Sequence, residues 1–561
     1  MPLASMLSDA PGARRLLGSG LAAFLMLLTG VLPAQAQTID DALLFSQRSP
    51  ALGARMMGLA GAGTAGLADY SALFFNPAGL SLAERSMVVG MLNGASITND
   101  GLYQAVGVQT GLEETRRSDL LGGLGYVYKA PTVQGSLAFG ISYNQTNLFD
   151  RTLGFGGENG SNSVTDFFLP FNGGGIQEFS VTALDPDDSG ETVFGQFIVE
   201  DQETGTSYLI DFDPDGNGFI NRPLSFVAFE TFGVDFAPGL FEDGDSSPFL
   251  PAVSAGTVTQ SGTVIEDGTI QELSLGGAVE VVENTHLGVS ANFVFGEYNL
   301  DEQFTEEDTF NENDGNFGTT DFEALTLRQT LDSDLTGFNL RFGLSTQPLE
   351  VARIGLTLET PTFYAISERF STELTTVFDN GDVFAYGDEF SEDVGSGSFD
   401  YEIRTPWRLG LGGALILGNL EVLGDFELID WTQLEFDADV DRAFFEALNQ
   451  RIDEELEVVV NSRLGAEYDL SGITLRAGVA YQPDPRTTPL QQGDGATLDR
   501  DRTFVSLGLG VRLAEQLVLD IGWMQERFDN QYLPYTEVTS APVVDEEVRR
   551  NRFALGISYM F

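Results

Sequence analysis

The chain has 561 residues, no cysteine, one lysine (Lys129) and one histidine (His286). Without cysteine there is no disulfide framework, no thiolate nucleophile and no thiolate metal site. With one histidine, a triad base or a multi-histidine zinc centre is not expected either. Positive charge is scarce as well. Lys and Arg total 28 against 84 Asp and Glu, a formal net charge of -56. No basic stripe exists to neutralise phosphates, which excludes nucleic acid as a partner. Long apolar runs are also missing beyond Leu32. A membrane helix needs ~20 consecutive apolar residues. If the chain enters a membrane, it must do so as a closed barrel, because an open sheet leaves its backbone unsatisfied in lipid.

The one apolar run, Leu16 to Leu32, follows Arg14 and Arg15 and precedes Pro33-Ala34-Gln35-Ala36. A charged start, a short apolar stretch and a small-residue cleavage site describe a secretory signal over residues 1–36. Gly18, Gly20 and Gly30 interrupt the run, against its being a membrane anchor.

What is abundant is glycine and aromatics, with 65 Gly, 43 Phe and 15 Tyr. They fall in alternating segments. In Asn551 to Phe561, Phe553, Leu555, Ile557, Tyr559 and Phe561 share one face of a strand. The other face is small or polar, and the strand ends on an aromatic residue as the last strand of an outer-membrane barrel does. The same alternation marks Ser136–Asn144, Leu287–Phe295, Phe338–Leu344, Leu420–Leu428, Val458–Tyr468, Val505–Leu513 and Leu517–Trp523, among others. The count is about fourteen, even as expected of bacterial barrels. Connections alternate too. Short joins, such as Gly418-Asn419 and Ser471-Gly472, are followed by long ones, at Ile97–Asp119, Asp150–Thr269, Asp301–Asp334, Thr362–Phe399, Asp437–Glu457, Pro483–Arg502 and Asp529–Arg550. Short periplasmic turns and long external loops are the barrel pattern. The expectation is an all-β transmembrane antiparallel barrel over residues 85–561, in the outer membrane of a Gram-negative cell. Its partners would be outer-membrane lipid and the barrel-assembly machinery during biogenesis, with the barrel a monomer. Two readings of the acidity stand side by side: a solvated surface, or a host in high salt that screens it.

Inward positions carry Arg341, Arg353, Arg408, Arg463, Arg476, Arg512 and Arg552, with Glu359, Glu421, Asp425, Glu467 and Asp520. Such charges form a paired network lining a polar lumen, or offer guanidiniums to an acidic head group. Arg341, Arg353, Arg408 and Arg476 are the candidates for that second role.

Residues 37–84 precede the first strand. Gly58 to Gly66 is rich in Gly and Ala, and Phe74-Phe75-Asn76-Pro77-Ala78 follows. Small residues permit close packing, and Asn-Pro favours a turn. The segment is either a periplasmic linker or a plug inside the barrel. Here the sequence resembles the FadL/TodX family of outer-membrane transporters of hydrophobic compounds. The Gly/Ala stretch, Ala68-Asp69 and Asn76-Pro77-Ala78 are similar to that family's N-terminal hatch. Tyr401 to Gly410 and Asp425 to Trp431 are similar to parts of its barrel. The resemblance implies a fourteen-stranded barrel plugged by the hatch. It implies a hydrophobic small-molecule ligand as partner, with passive uptake of long-chain fatty acids or other hydrophobic compounds, bound near the hatch and released laterally through the wall. By that resemblance Asn76, Pro77 and Ala78 shape the hatch, and Phe74 and Phe75 add apolar bulk beside them on the expected ligand path. A PorV-like scaffold or shuttle in protein secretion, built on the same fold, is the alternative.

One departure from that pattern is the large external insert at 150–269, read as a small folding unit. Its Asp213-Pro214-Asp215-Gly216-Asn217-Gly218 places Asp213, Asp215 and Asn217 as the first ligands of a calcium loop. The twelfth position is Leu224 instead of an acid, so an acidic turn is an equal reading. No cofactor is otherwise expected. No catalytic constellation is present, and an enzyme is not expected.

Overall fold

The computed structural model describes residues 38–561 apart from 172–176, 186–191, 202–203, 215–219, 221, 243–247, 255, 314–320, 388–393, 439–441, 492–496 and 537. The signal segment 1–36 lies outside the described residues.

Fourteen antiparallel staves form the wall. They are β1 (Met87–Ala105), β2 (Val108–Ala130), β3 (Leu137–Leu148, resuming at Arg151–Asn159), β4 (Val258–Val282), β5 (Thr285–Glu307) and β6 (Phe322–Leu349). β7 joins Ala352–Glu359 to Phe363–Phe378, β8 joins Gly397–Arg404 to Arg408–Leu417, and β9 joins Leu420–Asp430 to Glu435–Asp437. β10 (Val458–Asp469), β11 (Ile473–Gln482), β12 (Arg502–Ala514), β13 (Leu517–Tyr532) and β14 (Val543–Met560) complete it. β14 pairs with β1 from Met87↔Met560 to Gln104↔Val543, which closes the barrel and removes both edges. At the rim, Phe561 N–H donates to Ser86 O (3.0 Å) and its ring stacks on Tyr126.

The alternation decides which side faces lipid. On β5, Leu287, Val289, Phe293 and Phe295 stand exposed outward, whereas Ser290 and Asn292 are buried inward. Polar Glu297 succeeds them on the outer face, so the lipid-facing band is about nine residues tall, as for a tilted membrane strand. Several staves continue well beyond this band. β1 and β2 extend through the region read as the loop Ile97–Asp119, leaving only Val106-Gly107 as the turn. That segment is strand because its ladder continues; no lipid demands apolar outward residues there, so the alternation fades.

The insert between Asn159 and Val258 caps the external mouth. It carries a small sheet of Ser180–Ala183, Ser207–Asp211 and Gln196–Glu200, and a helix, Pro223–Glu230. It is not the separate unit expected from its length. Phe212, Phe226, Phe229 and Phe249 share one core with Tyr103, Phe155, Phe304, Phe322 and Leu325 of the staves. Glu306 ties the two together. It is wholly buried, and it accepts from Ser163 Oγ (2.5 Å), from Val164 N–H (3.1 Å) and from Gln260 Nε2.

The segment after residue 37 lies inside the barrel, so of its two readings the plug is the one observed. Thr38 caps helix α1 (Ile39–Ser46) in a capping box with Asp41. Helices α2 (Gly53–Gly58) and α3 (Ala72–Phe75) follow, then a 3-10 turn, Pro77–Leu82. The hatch docks backbone to wall. A Cβ at Gly288 or Gly343 would strike Pro77 or Asn76, and one at Gly355 would strike Thr64 O. Asn76 is fully buried and donates to Thr64 O (2.7 Å) and to Leu344 O (3.0 Å) of β6, and its Oδ1 accepts from Ala78 N–H (3.1 Å). Asp425 of β9 accepts from Gly63 N–H (2.7 Å) and Thr64 N–H (2.8 Å), anchoring the glycine-rich loop.

Two outcomes are expected. Asn76→Ala orphans two buried carbonyls and should cost about 1–3 kcal/mol of hatch stability. It should raise hydrogen exchange across 64–84 while leaving the barrel staves protected; unchanged protection there would refute the anchoring role. The second concerns Glu306, far above the lipid band. Burial raises its carboxyl, and although Ser163, Gln260 and Val164 pull it back down, it stands at about 7. A folded-state pKa above the unfolded one stabilises below pH ~4.5, and that stability is lost as pH rises through about 7. The cap should therefore open more readily at pH 8 than at pH 5. Glu306→Gln should abolish the difference in exchange at 163–168.

Candidate functional site

The hatch leaves space above it. A cavity of about 510 Å³ lies between α1, Phe74 and Phe75 below and the upper halves of the staves around it. Its apolar surface includes Leu43, Leu44, Phe74, Phe75, Trp431 and Phe528. The rest is unusually charged, with nine arginines and eight carboxylates lining it. In a chain that has 28 basic residues in all, that concentration singles the cavity out.

Most of these guanidiniums are paired, as burial requires. Arg341 meets Glu359 (2.8 Å) and Glu272 (3.5 Å), and its Nη1 donates to Leu73 O (2.8 Å). Arg341 also lies over the Phe74 ring, 4.8 Å from its centroid, with Arg48 on the same ring at 5.9 Å. Arg48 shares Glu359 (2.6 Å), and Arg463 holds Glu427 (2.7 Å). Arg408 differs. It donates to Ser46 O (2.6 Å) and stacks over Trp431, with no ion pair within 4.0 Å among the described residues.

Of the four arginines singled out in sequence, Arg341 and Arg408 line this cavity. Arg353 does not; it pairs with Glu421 (2.5 Å). Arg476 does not either; it bridges Glu467 (2.5 Å) and Asp520 (2.7 Å) beneath α2, where Arg55 reaches the same Glu467 (3.2 Å). Phe74 and Phe75 form the cavity floor, while Asn76, Pro77 and Ala78 are buried against the wall and touch no open space. Asp213 sits just after the last strand of the insert's sheet, its N–H donating to Asp211 Oδ1 (2.9 Å). Asp215 and Asn217 lie outside the described residues, and no cluster able to hold a metal occurs among the described ones.

A second feature is invisible in the sequence. β2 pairs with β3 only from Gly123↔Asn144 to Ala130↔Leu137. Above Gly123, β2 has no ladder partner on that side among the described residues. β3 bulges at Thr146, breaks at Phe149-Asp150, and resumes along β4 on the inner side of the β1–β2 hairpin, where Asn99 Nδ2 donates to Thr152 O (2.7 Å). β1 and β2 carry their own register shift at the same height, between Met91 and Leu92. Arg116 spans the seam, reaching Asp150 (3.5 Å) and Asp267 (3.6 Å).

Beside this interruption lies a small space of about 40 Å³. The hatch lines it with Ser49, Ala51, Gly53 and Met57, and the wall with Asn93, Gly94, Ala95, Ser118, Gln145–Leu148, Arg552 and Phe553. It has room for a water or two and no more. On the outer surface a groove of about 1000 Å³ runs over Leu92, Leu121, Ile521, Phe553 and Leu555. The two spaces share Asn93, Gly94, Ala95 and Phe553, so the wall is one residue thick there.

Known proteins share this architecture. A solved structure of a Pseudomonas aeruginosa FadL homologue superposes with a TM-score of 0.50 at 12% identity, covering 91% of this chain and 99% of that one. At that identity it shows the fold alone. The Pseudomonas putida toluene transporter TodX gives a TM-score of 0.48 at 14% identity, with 91% and 99% covered. Outer membrane protein P1 of Haemophilus influenzae is 25% identical over 272 residues, 45% of this chain and 54% of that one, so the chain spans about half the length of that relative. A family model described as outer membrane protein transport protein (OMPP1/FadL/TodX) matches residues 257–561, more than half of the chain, and the chain is an outer-membrane protein of that family.

Proposed function

We propose that the protein is a passive channel for long-chain fatty acids or other hydrophobic compounds. The ligand enters from outside, settles in the cavity above Phe74 and Phe75, and leaves sideways into the membrane. The observation that carries this reading is the interrupted ladder between β2 and β3, set beside the hatch and backed by the outer apolar groove. A sealed barrel keeps its ladder complete, because an unpaired edge in lipid is costly. An interruption at that height is therefore a feature with a use. The cavity floor supplies apolar surface, whose burial drives binding without an energy source. Exit requires the 40 Å³ space to widen, and the residues that must part are small ones: Gly94, Ala95 and Ser118.

Ser118 is the position to test. Its hydroxyl is buried there with no hydrogen-bond partner. Ser118→Trp should fill the passage. In cells lacking their own transporter, the wild-type chain should restore uptake of labelled oleate. The variant should cut that uptake at least tenfold while the purified protein binds oleate within about twofold of wild type. Wild-type uptake by the tryptophan variant would exclude this exit.

A further inference from the structure

Four arginines of the lumen have a carboxylate within 4.0 Å but no hydrogen bond to it. Arg500, Arg502, Arg550 and Arg552 converge where β12, β13 and β14 face the lumen, with side chains only 12%, 24%, 11% and 14% exposed. Arg550 stands directly across the ladder from Glu526, which is buried. Arg502, Arg550 and Arg552 all look to Glu526, at 3.5, 4.0 and 3.6 Å, and Arg500 looks to Asp484 at 3.5 Å. None of these contacts is a hydrogen bond. Among the described residues, no protein group accepts a hydrogen bond from any of the four guanidiniums. Arg550 Nε is buried without a partner.

A buried guanidinium carries five donors and normally spends them on carboxylates or carbonyls. Arg341, Arg463 and Arg476 do so in this same lumen. Here three cations share one carboxylate at long range, an excess of two positive charges around Glu526. Asp484 does not offset it, since Arg486 also holds that carboxylate (2.8 Å). Apolar surface adjoins the cluster. Arg502 and Arg550 flank the Phe528 ring at 4.7 and 5.4 Å, and Tyr532, Leu533 and Val548 continue along the cavity. Arg502 and Arg550 face the 510 Å³ cavity, whereas Arg552 faces the small space at the interrupted wall.

We infer that Arg502, Arg550 and Arg552, supported by Arg500, form a subsite for the anionic oxygen head group of an amphiphile, a carboxylate or a phosphate, with its apolar tail along Phe528 and Tyr532. The inference rests on the uptake reading and narrows its substrate class from hydrophobic compounds in general to those with a charged head. The subsite also lies on the path. Arg502 and Arg550 receive the head group in the cavity, and Arg552 meets it where the wall thins, so the charge stays compensated as the tail moves out.

The test uses the full-length protein in lipid nanodiscs and three probes of equal chain length: dodecanoate, dodecyl phosphate and dodecanol. Losing two charged hydrogen bonds should weaken anion binding by about tenfold to a hundredfold. Arg502→Gln with Arg550→Gln should show that loss for both anions and keep dodecanol within about twofold. Glu526→Gln guards against a misfolded double variant: by removing the competing carboxylate it should tighten both anions several-fold, an effect a merely structural role would not produce. A larger response of dodecyl phosphate than of dodecanoate identifies the phosphate as the preferred head. Unchanged anion affinity in the double variant, or weaker binding in Glu526→Gln, overturns the subsite. If both anions and dodecanol bind equally in every variant, the uptake reading stands and the subsite falls. If the wild-type protein binds none of the three, both fall.

Discussion

A barrel of this girth encloses more volume than its own inward side chains fill, and everything else depends on how the hatch occupies that volume. It does so by laying backbone against backbone. Pro77, Asn76 and Thr64 come so close to the wall that Gly288, Gly343 and Gly355 tolerate no side chain. Such closeness hides peptide groups from water, and each must then find a partner. Asn76 and Asp425 answer that need, one bridging hatch to β6 and the other capping two N–H groups of the glycine-rich loop. The glycines of the staves and the small residues of the hatch are two halves of one steric solution.

Once the hatch is seated, the space above it inherits its chemistry from both. The staves must point polar residues inward because the outward ones belong to lipid. Where the hatch buries those polar residues, they must pair. Pairing is dense at Arg341–Glu359, Arg463–Glu427 and Arg476–Asp520. The exceptions, at Arg408 and around Glu526, lie along the cavity or the thin wall, where an occupant can supply what the protein withholds.

The sequence made the lipid band legible because lipid imposes period two on every stave. Leu287 to Phe295 and Phe553 to Phe561 could be oriented residue by residue for that reason. Above the band that constraint lapses, and β1 and β2 between Ile97 and Asp119 read as loop although they are strand. The small-residue setting of Asn76–Ala78 leaves a linker and a plug both open, and the resemblance to the family's hatch points to the plug. That Phe74 and Phe75, rather than Asn76, face the cavity is not readable there, because it depends on how the turn meets β6. Strand pairing is a relation between distant segments, so the unfinished β2–β3 ladder leaves no mark on either strand alone. The arginines around Glu526 did carry a signal. Arg500, Arg502 and Arg550 are rare cations in an acidic chain, but they fell at the edges of apparent loops, where alternation could not aim them.

The net charge of -56 sits oddly with a cavity rich in arginine, and the two are reconciled by range. Charges on the external cap repel an anion only within a screening length, about 8 Å at physiological salt and about 3 Å near 1 M. The guanidiniums around Glu526 are largely buried, and salt screens such charge less than it screens the surface. Raising the salt therefore erodes the outer barrier faster than the inner attraction. An anionic amphiphile led in by its apolar tail would meet repulsion at the mouth and compensation at Arg502 and Arg550, which line the cavity. The order of those two fields makes an acidic exterior compatible with an anionic cargo, and the more so the saltier the surroundings.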